Sequence, residues 1–280
     1  MIIFKYIKDI DPYLQRQQQN GLVTGFAPTM GALHQGHISL IQQSKKEADI
    51  TVSSIFVNPA QFNDPKDFEK YPITLDKDIY LLEKAGCDVL FLPSVAEMYP
   101  RGMQHPKKYE LGYLETVLDG AYRPGHFQGV CLVVEKLLSI VHPNKLLLGQ
   151  KDYQQCMVIK KLAELMAIHT TIVMAPTQRE PDGLAMSSRN IRLTEANRVK
   201  APLIYQTLQL IKKEIEPGNL KALKQKATAA LTAQHFSVDY VEIADAATLS
   251  LTDDWDGTTP LVALTAAFIG EVRLIDNLLL

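Results

Sequence analysis

The sequence predicts an α/β fold, a parallel sheet with covered faces, followed by a smaller α+β domain. Three observations carry that prediction. Short apolar or β-branched runs alternate with amphipathic segments from residue 22 to residue 176. The first such run ends in a turn rich in Gly and His that opens a helix. Beyond about residue 177 the alternation gives way to helical segments and then to three β-rich runs. Strands alternating with helices imply parallel pairing through right-handed crossovers.

Along the chain, LVTGFA at 22–27 is a short apolar run ending at Pro28 and reads as a buried strand. HISLIQQSKKEA then places Ile38, Leu40 and Ile41 at helical spacing before a polar face, which starts a helix at about His37. ITVSSIFV at 50–57 is β-branched, and Asn58-Pro59 closes it. Residues 75–85 read as a helix and CDVLFLP at 87–93 as a third strand. A helix near 129–141 leads into the strand KLLLG at 145–149, another helix begins near Asp152, and TTIVMAP at 170–176 is the last strand of the series. Residues 195–235 read as two helices separated by Pro217-Gly218, and VDYVEIAD, PLVALTAAF and EVRLIDNLLL follow as strands. The expected domains are 1–176 and 177–280.

Bulk properties narrow the function classes. The 280 residues are 46% hydrophobic and 21% charged, as in a soluble globular protein with room for a large core. Twenty-nine Lys and Arg against 31 Asp and Glu give a net charge of −2, which argues against nucleic acid as a partner. Cys87, Cys131 and Cys156 are an odd set without paired spacing, so free buried thiols are expected rather than disulfides or a zinc site. No apolar stretch approaches the roughly 20 residues of a membrane span, and the N-terminus carries charges every few residues. A cytoplasmic protein with no membrane partner is expected.

The two commonest phosphate loops, Gly-x-Gly-x-x-Gly and Gly-x-x-x-x-Gly-Lys-Ser/Thr, do not occur. The first strand runs instead into Pro28-Thr29-Met30-Gly31-Ala32-Leu33-His34-Gln35-Gly36-His37. Gly31 and Gly36 permit a tight turn, and a helix N-terminus offers backbone N–H groups and partial positive charge to an anion. His34 and His37, three apart, share one helix face, so both imidazoles can reach one phosphate chain. A single histidine there would more simply be a cap; the pair between glycines favours a ligand role. Asn58 and Gln61 lie just past a strand end, where open α/β sheets bind ligands, and their amides can both donate and accept. Lys151 follows another strand end and offers a point charge. Asp152 either accepts from a ribose hydroxyl or caps the next helix. Ser187, Ser188 and Arg189 gather two hydroxyls and a guanidinium, a set suited to pyrophosphate.

His34-Gln35-Gly36-His37 resembles the His-x-Gly-His element of the nucleotidylyl-transferase superfamily, which includes class I aminoacyl-tRNA synthetases. The longer string from Pro28 to His34 is similar to one family within it, the pantoate–β-alanine ligases. Four further strings match in order: Ser54 to Phe62, Tyr122 to Phe127, Gly149 to Gln155, and Arg179 to Asn190. The last resembles the mobile Lys-Met-Ser-Lys-Ser loop. Arg273-Leu274-Ile275-Asp276-Asn277 is also family-like. Gln150 departs from the acidic or small residues common at its position, and Gln178 and Pro181 are less usual beside the mobile loop.

The resemblance implies a Rossmann-like sheet and ATP-dependent joining of (R)-pantoate to β-alanine. Pantoate's carboxylate would attack the α-phosphorus of ATP, and β-alanine's amine would then attack the enzyme-bound pantoyl adenylate, giving pantothenate, AMP and pyrophosphate. It implies His34, His37, Lys151, Ser187, Ser188 and Arg189 at the phosphates. The wider ATP site would include Met30, Gly31, Ala32, Leu33, Gln35, Gly36, Gly149, Gln150, Asp152, Gln178 and Met186. Gln61 and Gln155, with Asn58 and Arg123 nearby, would recognise pantoate. Mg²⁺ would accompany ATP, the smaller domain would act as a lid, and the assembly would be a homodimer. The alternative enzyme reading is a nucleotidylyltransferase acting on a phosphorylated small molecule. The non-enzyme alternative is a regulatory module that binds nucleotide without turnover.

Overall fold

The computed structural model describes residues 1–62, 68–102 and 107–280. Two units emerge, residues 1–149 with 158–176, and residues 150–157 with 177–280.

The first unit is built on six strands: β1 (Ile2–Phe4), β2 (Thr24–Thr29), β3 (Ile50–Ile55), β4 (Val89–Phe91), β5 (Lys145–Gly149) and β6 (Thr171–Ala175). All pair in parallel, in the order β1-β4-β3-β2-β5-β6. Without β1 this is a doubly wound, Rossmann-like order whose direction reverses between β2 and β5, and ligands of such sheets bind outside the strand C-termini at that point. The main helices are α1 (Ile7–Gln19), α2 (Gln35–Glu47), α3 (Leu75–Lys84), α4 (His126–Val141) and α5 (Tyr153–Leu165), of which residues 153–157 belong to the second unit. Ala27, Leu40, Ile41, Leu82, Leu90 and Leu147 form one of its cores.

Several boundaries differ from the sequence reading. The edge strand β1 and helix α1 were not among the expected elements, since β1 is three residues long and α1 contains Pro12. Strand β2 continues through Pro28 to Thr29. Thr29 O accepts from Phe56 N on the β3 side, so Pro28 turns toward β5. The β2–β5 register covers only Gly25 and Phe26, so the N–H that proline lacks breaks no ladder bond. Helix α2 begins at Gln35 rather than His37, where the His34 cap extends it, and α4 at His126 rather than 129, directly after Gly125 in the left-handed region. Helix α4 lies against the turn Pro59–Gln61, and a Cβ at Gly129 would stand 2.1 Å from Ala60 O, so only glycine permits this approach.

The cysteines are free and buried. Burial pushes the Cys87 and Cys131 thiols up to about 12. Native protein at pH 8 should therefore react slowly with a chromogenic disulfide reagent, with all three thiols titrating after unfolding in guanidinium. A fast native phase would contradict the burial.

The second unit carries helices α6 (Glu195–Lys200), α7 (Leu203–Glu214) and α8 (Lys221–Thr232). Three helices stand where two were expected, because Pro202 interrupts the first stretch and becomes the N-cap of α7. Gly218–Asn219 (β7) makes a short antiparallel ladder with Asp254–Trp255 (β9). Strands β8 (Ser237–Asp245), β10 (Leu261–Ile269) and β11 (Val272–Leu279) form an antiparallel sheet in the order β11-β10-β8. Leu208, Ile211, Leu231, Ile243 and Ala263 lie in its core. A single division at residue 177 leaves 150–157 with the parallel sheet; in the structure these eight residues pack with the second unit. Tyr153 OH donates to Ala246 O at 2.6 Å, and Asn277 Nδ2 donates to Gln150 O and Lys151 O. Among the described residues, no helix is long and apolar enough to cross a membrane.

Candidate active site

In the first unit the loop after β2 turns at Gly31, with φ +80°, and at Ala32, with φ +49°. The left-handed region suits glycine but strains alanine, so the loop needs an external hold. Asp78 of α3, 1% exposed, provides it. Its carboxylate accepts from Ala32 N and Leu33 N, each at 2.8 Å, and from Thr74 Oγ1 at 3.0 Å. Ala32 and Leu33 are buried, and their N–H groups are directed to Asp78.

The loop delivers His34 as the N-cap of α2. Gly36 N donates to His34 Nδ1 at 3.1 Å, and His34 N donates to His37 Nδ1 at 3.3 Å, a reciprocal cap. Because both Nδ1 atoms accept, each neutral ring carries its proton on Nε2. The rings lie 4.1 Å apart between centroids. Capping and ligand roles are thus compatible, since they use opposite ring nitrogens. No acidic residue occupies the first turn of α2, so nothing there opposes the helix dipole's attraction for an anion.

Gln61 sits in the turn after β3. Its Nε2 donates to Met30 Sδ at 2.8 Å, and its Oε1 accepts from Asn58 Nδ2 at 3.3 Å. Asn58 is fully buried. Its Nδ2 also donates to Gly129 O at 3.1 Å, while its Oδ1 accepts from Tyr99 OH at 2.7 Å and Ala60 N at 3.3 Å. All four hydrogen-bonding positions of that amide are therefore occupied within the protein. Arg123 Nη1 lies 3.1 Å from His126 Nε2, and His126 Nδ1 lies 2.8 Å from Gln61 O. With arginine as obligatory donor, His126 carries its proton on Nδ1 and donates it to Gln61 O. At Gly149, the end of β5, an added Cβ would meet no atom within 4 Å.

A cleft of about 270 Å³ also adjoins the loop through Met30, Gly31 and Ala32, with Ile55, Phe56, Pro72 and Ile73 in its wall. It is apolar and lies on the Asp78 side of the loop, without either histidine.

The second unit carries the other candidates. Lys151 stands in the 3₁₀ turn Gln150–Asp152, with Nζ 3.8 Å from Asp152 Oδ1 and its side chain 18% exposed. Asp152 thus pairs with Lys151, and α5 begins one residue later. Gln155 lies half-buried in the first turn of α5. Gln178 O accepts from Met186 N at 2.9 Å, and Arg179 bridges Ala185, so Ser187 emerges from a tight hairpin. Ser187 Oγ accepts from Arg189 N at 3.3 Å and caps the short turn Ser188–Arg192. Arg179 holds the hairpin's base: it pairs with Asp276 through two bonds of 2.6 and 3.0 Å and covers the Tyr205 ring at 3.7 Å. Burial pushes the Asp276 carboxyl above its ordinary range, with Arg179 pulling the other way.

Among known families, the model of pantoate-beta-alanine ligase matches residues 2–279. The chain belongs to the pantoate–β-alanine ligase family. The pantothenate synthetase of Cytophaga hutchinsonii is 43% identical over 291 residues, covering 100% of this chain and 99% of the relative. That of Alcanivorax borkumensis is 45% identical over 274 residues, covering 97% and 95%. The crystal structure of the Thermus thermophilus pantothenate synthetase superposes with a TM-score of 0.91 at 38% identity, covering 99% of both chains. The Francisella tularensis ligase, solved as a complex with beta-gamma ATP and beta-alanine, gives a TM-score of 0.79 at 40% identity, covering 100% of this chain and 97% of that one.

Within this ligase fold, sequence reasoning missed the supports of the candidate groups. Asp78 had one signal: an acidic residue four before Leu82, on the face α3 buries. His126 sits in a string already matched to the family, and so do Asp276 and Asn277, but none had been given a role. Tyr99 had no local signal at all.

Proposed function

We propose that the chain condenses pantoate with β-alanine, using ATP and passing through an enzyme-bound pantoyl adenylate. The observation that supports this reading is the reciprocal cap of His34 and His37 at the N-terminus of α2, which engages Nδ1 of both rings and assigns their remaining protons to Nε2 at the end of the helix that suits an anion.

A carboxylate is a poor electrophile toward an amine, and a mixed anhydride with AMP supplies the leaving group. In the first step pantoate's carboxylate oxygen bonds to the α-phosphorus and the bond to pyrophosphate breaks. In the second, β-alanine's amine displaces AMP from the acyl carbon, losing a proton. Neither step needs a nucleophile from the protein, so its residues bind, orient and stabilise charge. His34 and His37 donate to the phosphates. Lys151, Ser187, Ser188 and Arg189 meet the charge growing on pyrophosphate. Mg²⁺ would enter with the nucleotide and offset charge on its phosphates; among the described residues no group of three or more His, Cys, Asp or Glu is placed to hold it unaided. Gly149, whose face is open, admits the ribose beside Asp152. Gln61 and Gln155 recognise pantoate. Asn58, its amide fully engaged, and Arg123, acting through His126, serve by orienting Gln61.

The second unit acts as a lid shielding the labile adenylate from water. The assembly is a homodimer in this reading, and three free buried thiols suit a reducing cytoplasm.

Purified protein with ATP, Mg²⁺ and pantoate should release AMP together with pantothenate only when β-alanine is added. Turnover with a phosphorylated substrate in place of pantoate would replace this reading with a nucleotidylyltransferase. ATP binding without turnover on any substrate would leave a regulatory module.

A further inference from the structure

Lys151 projects from a turn of three residues, and beside its 3.8 Å pairing with Asp152 the direction of its flexible side chain is set by its backbone. That backbone is held from 126 residues away. Asn277 of β11, 1% exposed, donates through Nδ2 to Gln150 O at 2.8 Å and to Lys151 O at 2.9 Å. Gln150 returns the contact, its Nε2 donating to Asn277 Oδ1 at 3.1 Å. Asn277 is itself fixed, paired in register with Leu264 of β10 and with its N–H bonded to Asp276 Oδ1 at 2.8 Å. Asp276 in turn grips Arg179 at the base of the hairpin that leads to Ser187. One adjacent pair on β11 therefore anchors both charged segments of this unit.

We propose that Asn277, paired with Gln150, is a positioning residue that fixes the Lys151 ammonium for the triphosphate. Gln150 supports this turn through its bond to Asn277 rather than through contact with nucleotide. The proposal rests on the reading that Lys151 meets the phosphates.

The experiment is a double-mutant cycle on pantoate-dependent exchange between pyrophosphate and ATP, with thermal melting as a check on folding. Lys151→Ala should lower exchange by roughly a hundredfold or more, the loss of one preorganised donor. Asn277→Ala should lower it roughly 30- to 100-fold, the cost of a misplacement approaching 1 Å, with the KM for pantoate unchanged. The double variant should be no slower than Lys151→Ala alone. Losses that multiply in the double variant, or Asn277→Ala at the wild-type rate beside a slow Lys151→Ala, would overturn the positioning role and leave the functional reading intact. A fully active Lys151→Ala would overturn both. Should Asn277→Ala not fold, Gln150→Ala in the same cycle decides, with a smaller loss expected that again vanishes on the Lys151→Ala background.

Discussion

His37→Asn should fold normally and lose roughly a hundredfold or more of the pantoate-dependent exchange between pyrophosphate and ATP. The asparagine Oδ1 can take the place of the imidazole Nδ1, so the acceptor for His34 N is kept and α2 keeps its cap. What disappears is the Nε2–H. A single preorganised donor to a developing oxyanion is worth on the order of a hundred- to a thousandfold in rate. His37→Ala removes both functions, and the lost cap adds about 1 kcal/mol of destabilisation. Comparing the two variants separates catalysis from folding. Exchange near the wild-type rate in His37→Asn would remove this histidine from the phosphate site.

Asp78→Ala should destabilise the protein by about 3 kcal/mol or more, since it strands two buried N–H groups at roughly 1–3 kcal/mol each. The groups belong to Ala32 and Leu33, and Ala32 already holds a left-handed backbone that costs about 1 kcal/mol or more. Without its anchor the loop is free to leave that conformation, and His34 begins one residue beyond it. Exchange activity should therefore fall together with stability. Asp78→Asn keeps an oxygen for one N–H but turns an NH₂ toward the other, so an intermediate loss is expected. Urea denaturation is the direct measurement. A shift below about 0.5 kcal/mol in Asp78→Ala would show that the loop holds its shape unaided.

The elements legible in the sequence are those whose signals are local. Residues 50–55, 145–149 and 171–175 form strands at or inside the predicted runs, because unbroken apolar and β-branched stretches leave few alternatives. Strand β1 and helix α1 escaped because three residues and a proline-containing helix carry little pattern. Pro202 divides into two helices a stretch whose apolar spacing predicts one.

The candidate site divides along the same line. The His34–His37 pair, the Ser187–Arg189 cluster and Lys151 at a strand end are contiguous strings, and their chemistry follows from residue type, short spacing and family resemblance. Their supports do not. Asp78 bonds across 46 residues, Tyr99 across 41, His126 across 65 and Asn277 across 126. Which side chain meets which backbone over such separations is set by strand order and by the buried faces of helices, and no i, i+3 or i, i+4 rule reaches that far. The sequence alone therefore determined which groups are candidates for phosphate and carboxylate. Only the tertiary structure decided what holds them, because buried hydrogen bonds must close wherever packing places their partners.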